Sequence, residues 1–139
     1  MRTVNDTNVL VPAIFFGGVP GRVLAAWRDG RVSVVLSPEI LEEYQRAGNE
    51  IALRHPGADE APHAVLRVIA RDAEFVVPTA LDVVVTDDPD DEKFLACAQT
   101  GHAEVIVSGD KHLLRVSGWR GVRVLTPRQL DAELKERAR

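Results

Sequence analysis

With 139 residues, 45% hydrophobic and 27% charged, the chain fits one domain of ordinary soluble composition, long enough to bury roughly two thirds of its unfolded surface. Its net charge of −4 argues against a general coat for nucleic acid, and no apolar run approaches the ~20 residues needed to cross a bilayer. The single cysteine, Cys97, cannot close an internal disulfide, and the polar start has no apolar signal core, so a cytoplasmic setting and no membrane are expected.

Thr3-Val4 reads as a short first strand, followed by the polar run Asn5-Asp6-Thr7-Asn8. A helix is expected to begin within residues 7–15, with Pro12 near its first turns, and residues 17–21 (GGVPG) read as a turn. Residues 21–30 carry Val23, Leu24 and Trp27 at helical spacing, with Gly30 as the stop. Residues 31–37 are rich in β-branched side chains and read as a strand. Ser37-Pro38 then opens a helix, with a good N-cap and proline at the first position. Residues 49–64 are polar, broken by two prolines, and read as a loop with a ragged helix end. Residues 62–73 are expected to be helical, 74–78 a strand or extended exit, and 81–86 extended at a sheet edge. Residues 87–101 read as a helix with an acidic approach, ended by Gly101. The apolar run within residues 103–110 marks a parallel strand buried on both faces. Residues 121–126 form the last strand, and Thr126, Pro127 and Gln129 make a capping box at the start of the last helix.

This alternation implies a three-layer α/β/α sandwich with a central, mostly parallel sheet. Such sheets bind ligands beyond the carboxyl ends of their strands. Asp6 follows the first strand, Ser37 and the helix bearing Glu43 follow the second, and Ser108 and Asp110 follow the apolar strand near residue 106. Asp91 lies in the first turn of its helix. All can converge on one edge of the sheet. Charge is also segregated: residues 82–92 hold six acids and no Lys or Arg, while residues 111–128 hold five bases and no acid. Four carboxylates at one place repel unless a cation neutralises them. Hard oxygen ligands suit Mg²⁺ or Mn²⁺, and nothing in the set favours zinc. One or two such ions can orient and activate water for in-line attack on a phosphodiester. Each acid also has a plain structural reading. Asp6 can cap a helix; Glu43 can be solvated, like Glu39 and Glu42; Asp88 or Asp90 can cap a helix whose positive end Asp91 serves; Asp110 can be a turn residue.

The stretches VNDTNVLVPAIFFGG, LSPEILEEY, DDPDDEKFLACAQTGHAEVIVSGDKHLL and GVRVLTPRQL, in this order and spacing, resemble the successive blocks of PIN-domain proteins. The group most resembled is the small bacterial PIN toxins of toxin–antitoxin pairs, relatives of the VapC ribonucleases. The resemblance runs from Val4 to about Leu130. It implies an α/β/α fold with a parallel sheet and an acidic Mg²⁺ or Mn²⁺ site that cleaves single-stranded RNA. Carried over by motif, Asp6, Glu43, Asp91 and Asp110 are the catalytic metal ligands, with Glu42 and Asp90 as neighbouring alternatives. Ser108, Asn8 and Asp90 are supporting residues. Asn5 stands where the family more often has an apolar residue, so the first strand is expected to end early. The resemblance also implies a small antitoxin partner and a homodimer. An antitoxin arginine among the carboxylates would suit both charge and bidentate geometry. A PIN-fold RNA- or protein-binding module with little or no nuclease activity is the competing reading, and the presence of all four acids argues against it.

Lys111 and Arg115 follow Asp110 directly and are expected to touch RNA phosphates, which position a strand without reading it. The alternative pairs Arg115 with a surface acid and leaves Lys111 solvated; Arg120, Arg123 and Arg128 are the next candidates. Residues 16–22 lack the lysine and spacing of a phosphate-binding loop. His55, His63, His102 and His112 show no zinc spacing. Cys97 lies on an apolar face and reads as core.

Overall fold

The computed structural model describes residues 1–55 and 61–139. In chain order the elements are β1 (Arg2–Asn5), α1 (Thr7–Phe16), α2 (Gly18–Arg28), β2 (Ser33–Leu36), α3 (Pro38–Arg54), α4 (Ala61–Asp72) and β3 (Glu74–Phe75). A 3₁₀ turn (Pro89–Asp91) leads into α5 (Glu92–Thr100), followed by β4 (Val105–Val107) and α6 (Lys111–Arg115). A second 3₁₀ turn (Trp119–Gly121), β5 (Arg123–Leu125) and α7 (Pro127–Arg137) complete the series. The strands form one sheet in the order β3-β2-β1-β4-β5, every neighbouring pair parallel. β1 is central, and the chain winds from it first towards β2 and later towards β4. The change of direction opens a crevice at the carboxyl end of β1, where such sheets bind ligands.

β4 shows why the fold has three layers. Ile106 enters one apolar cluster with Ile40, Tyr44, Ile69, Phe94 and Leu95 of α3, α4 and α5. Its neighbours Val105 and Val107 enter another, with Val23, Ala26, Leu130 and Leu134 of α2 and α7. The period of two along the strand thus divides the helices between the two faces. The expected caps are in place. The Ser37 side chain accepts from the Ile40 amide at 3.2 Å. Thr126 and Gln129 form the reciprocal capping box over 2.8 and 3.1 Å. Among the described residues, no single helix is long and apolar enough to cross a membrane.

Several local expectations are corrected. Asn5 does not shorten β1: it is buried and pairs in register with Val107. Its side-chain amide donates to Thr3 Oγ1 at 3.3 Å. Pro12 is the sixth residue of α1, within its first turns as expected; its missing N–H leaves without a donor only the carbonyl of Asn8, an exposed residue. The turn at residues 17–21 contracts to Gly17, at φ 74°, and α2 begins at Gly18. α3 runs through residues 49–54, which read as loop from their polarity; its apolar positions at Ile40, Tyr44 and Gly48 keep one face buried. Part of the expected loop, residues 56–60, lies outside the described residues. Residues 81–86 are irregular rather than a strand. Residues 111–115 form the short helix α6, capped by Asp110, which their length alone does not announce.

Gly101 is needed for close approach rather than for a left-handed conformation. A Cβ there would meet Val35 Cγ1 at 2.6 Å and the Cys97 carbonyl at 3.1 Å. Val35 is fully buried and stiff at χ1, so it cannot swing aside. Gly101→Ala is therefore expected to cost about 1–3 kcal/mol, read as a lower urea midpoint at unchanged m-value.

Candidate metal centre

β1 ends by delivering its last peptide to β4, with the Asp6 amide donating to the Val107 carbonyl at 2.9 Å. Asp6 caps α1: Oδ1 accepts from the Asn8 amide at 3.2 Å. Its other oxygen accepts from the Ser108 hydroxyl at 2.7 Å, and Ser108 Oγ accepts in turn from the Asp110 amide at 2.9 Å. Asp110 caps α6, accepting from the His112 amide at 2.7 Å. Asp88 caps the 3₁₀ turn, accepting from the Asp90 amide at 3.0 Å. Glu92 anchors that segment from α5, accepting from the amides of Val85 and Thr86 at 2.9 and 3.0 Å. On α3, the buried Tyr44 hydroxyl donates to the Asn5 carbonyl and ties the helix to the end of β1. Its neighbour Glu43 is thereby placed beside Thr7, whose hydroxyl donates to it at 2.5 Å.

These side chains line a cleft of about 550 Å³ containing Asp6, Glu43, Asp88, Asp91 and Asp110. Asp88, Asp91 and Asp110 each offer an oxygen, all within 4.8 Å of one another. Asp91 is 5% exposed, and its Oδ2 has no hydrogen-bond partner. Burial, then the charges of Asp110, Asp88 and Asp6, and last a side-chain hydrogen bond with Asp110, push its carboxyl up to about 7. Asp6 is likewise held above the usual carboxylate range, chiefly by burial; hydrogen bonds from Ser108 and Asn8 oppose the rise, while Asp110 and Glu43 add to it. An all-oxygen donor set with one buried, unpartnered carboxylate oxygen fits a hard divalent cation, which would supply the missing partner.

The structure thus brings Asp6, Glu43, Asp91 and Asp110 to one cleft. Asn8 lines it too, while Asp90 is exposed at its rim. Ser108 is fully buried beneath Asp6. Glu42 is exposed and does not line the cleft. Two contributors escaped the sequence reading. Asp88 passed as a cap, which it is, while also facing Asp91 and Asp110. Lys93 stands one residue beyond the acidic stretch; its ammonium pairs with Glu43 on another helix, an interaction no local spacing reveals. Lys111 is exposed. Arg115 lies 3.9 Å from Asp87, both well exposed. Arg120 pairs with Asp82 at 3.0 Å and Arg123 with Glu133 at 2.6 Å.

The PIN domain family matches residues 2–112, a span that holds all five acids and Lys93. The chain belongs to the PIN-domain family. A crystal structure of VapBC2 from Rickettsia felis, bound to a DNA fragment from their promoter, contains a chain of the same fold. The match has a TM-score of 0.59 at 14% identity, over 91% of this PIN chain and 98% of that one. No curated protein matches the chain by sequence.

Raised carboxyls make the metal-free protein sensitive to pH. Between 3.8 and about 7 the folded protein holds protons on Asp91 that the unfolded chain has released. Stability contributed at this position is therefore lost as pH rises through that window. The metal-free wild type is expected to melt at a lower temperature at pH 7.5 than at pH 5.5. The difference should shrink in Asp91→Asn and on adding Mn²⁺, as followed by circular dichroism.

Proposed function

We propose that this PIN-domain protein is a Mg²⁺- or Mn²⁺-dependent endoribonuclease that cleaves single-stranded RNA. The observation that carries the reading is the buried Asp91 oxygen, left unpartnered where Asp88, Asp91 and Asp110 converge beside Asp6. Asp6, Asp91 and Asp110, with Asp88, would hold the ion, and Glu43 borders the same cleft. The bound ion would supply an activated water and offset charge on the phosphate. The chain's own groups hold the acids in place: Ser108 and the Asn8 amide fix Asp6, Thr7 and Lys93 fix Glu43, and the Asp90 amide fixes Asp88. Lys111 and Arg115 would meet RNA phosphates just past Asp110. The Arg115–Asp87 pair is no obstacle, because an exposed pair of this kind is worth ~0–1 kcal/mol.

The reading extends to a toxin with an antitoxin partner, acting in the cytoplasm as a homodimer. Support comes from the fold shared with a chain of the VapBC2 complex and from a cleft whose crowded carboxylates suit an incoming arginine.

Asp6→Asn and Asp110→Asn should lower Mn²⁺-stimulated RNA cleavage at least ~100-fold, while Ser108→Ala costs ~10–100-fold by loosening Asp6. Circular dichroism should report folded protein in each case. Equal cleavage by wild type and both Asn variants, or cleavage that persists in EDTA, rejects the nuclease reading.

Replacing Lys111 and Arg115 together with Ala should weaken RNA binding across sequences. The slope of log affinity against log salt should flatten by roughly one for each phosphate that is no longer neutralised. Fluorescence anisotropy across a salt series provides the measurement; an unchanged slope would place the RNA path elsewhere.

A further inference from the structure

Lys93 is an unusual residue for its place. It is the second residue of α5, at the helix end whose dipole disfavours a cation. Its side chain is only 12% exposed and its ammonium pairs with Glu43 Oε2. The same ammonium lies 5.2 Å from the centroid of the Phe94 ring, a further hold on a cation. Arg46 lines the cleft as well, but among the described residues no Lys, Arg or His other than Lys93 lies within ion-pair distance of Asp6, Glu43, Asp88, Asp91 or Asp110. Helix preference does not account for this placement; the acids do.

The cleft therefore has two unlike corners. At the aspartate corner, Asp88, Asp91 and Asp110 face one another, and an Asp91 oxygen is unpartnered. At the glutamate corner both oxygens of Glu43 are engaged, one by Thr7 and one by Lys93. Paired-metal sites need two ions ~3.5–4 Å apart. A second ion beside Glu43 would have to displace or approach a fixed ammonium of its own sign.

We propose that Lys93 is a built-in cation that fills the Glu43 corner, so that the cleft admits one divalent ion, at the aspartate corner, instead of two. This inference rests on the metal reading of the cleft given above. It makes Lys93 a positioning residue: the fixed charge holds Glu43 and limits metal occupancy. A plain tether between α3 and α5 would also use this ion pair, and metal stoichiometry separates the two roles.

The test is Mn²⁺ titration of the full chain, read by electron paramagnetic resonance and by calorimetry, with thermal melts run in parallel. Wild type and Lys93→Arg should each saturate at one Mn²⁺ per chain, and that ion should be lost in Asp91→Asn. Lys93→Gln should take up a second Mn²⁺, which disappears when Glu43→Gln is added. Two ions in the wild type overturn the inference. So does a Lys93→Gln protein that melts lower yet still binds one, because that is the behaviour of a tether. No Mn²⁺ binding by the wild type, or binding that Asp91→Asn leaves unchanged, removes the metal reading itself and this inference with it. If Lys93→Gln does not fold, Lys93→Met decides on the same criteria, its thioether stem filling the same space without charge.

Discussion

Like-charge repulsion at the carboxyl end of β1 is the constraint that organises this protein. Two carboxylates ~5 Å apart at an effective dielectric of about 20 repel by about 3 kcal/mol, and three aspartates lie within such a distance of one another. A marginally stable domain can hold them there only if other interactions fix each one. Parallel topology supplies the place. Because β1 is central and the winding reverses around it, α1, α3 and α6 all begin at the same edge, next to the turn that leads into α5. Their starts bring backbone N–H groups with them, and these are the natural partners of carboxylates.

That explains why ligand and cap need not be rival readings of one residue. Asp6, Asp88 and Asp110 each accept a backbone amide at the start of a helix or turn. Each keeps lone pairs for the cleft, since a carboxylate has about four acceptor sites. The cap sets the rotamer, and the rotamer aims the free oxygen. Asp91 is the exception. It makes no capping hydrogen bond and sits buried with an unpartnered oxygen, so architecture does not account for it. Burial and the neighbouring carboxylates hold its carboxyl above the usual range, at about 7.

The sequence carried most of this frame. Alternation of apolar strands with capped helices announced the layers, and Ser37 and Thr126 marked two helix starts that the structure keeps. Asp6, Asp91 and Asp110 were legible because each falls just past a strand or at a helix entrance, where a backbone end must be satisfied in any case; Glu43, six residues into α3, was singled out among its neighbouring glutamates only by the family resemblance. What was hidden depended on tertiary packing. Residues 49–54 look like loop by polarity yet continue α3, because burial of Tyr44 and Gly48 holds the face behind them. Residues 81–86, with three consecutive valines, read as extended at a sheet edge, but they stay irregular, with Val84 90% exposed. Lys93 could not be paired with Glu43 from spacing, since the two are fifty positions apart and meet only when α3 and α5 pack together.

The coincidence of caps with cleft acids has a consequence for how such a site can change. Asn caps a helix about as well as Asp, so a carboxylate at position 6, 88 or 110 can lose its charge without losing the architecture. Position 91 has no cap to preserve, and position 43 is held by Thr7 and Lys93 from outside its own helix. Loss of function can therefore be structurally silent at the caps. At Glu43 it cannot be, because removing that carboxylate leaves Lys93 as a largely buried ammonium without its counter-charge, a loss that falls on stability as well. The acidic cleft is thus two systems joined at one end of the sheet: capped aspartates whose fold role survives neutralisation, and a glutamate–lysine pair whose members depend on each other.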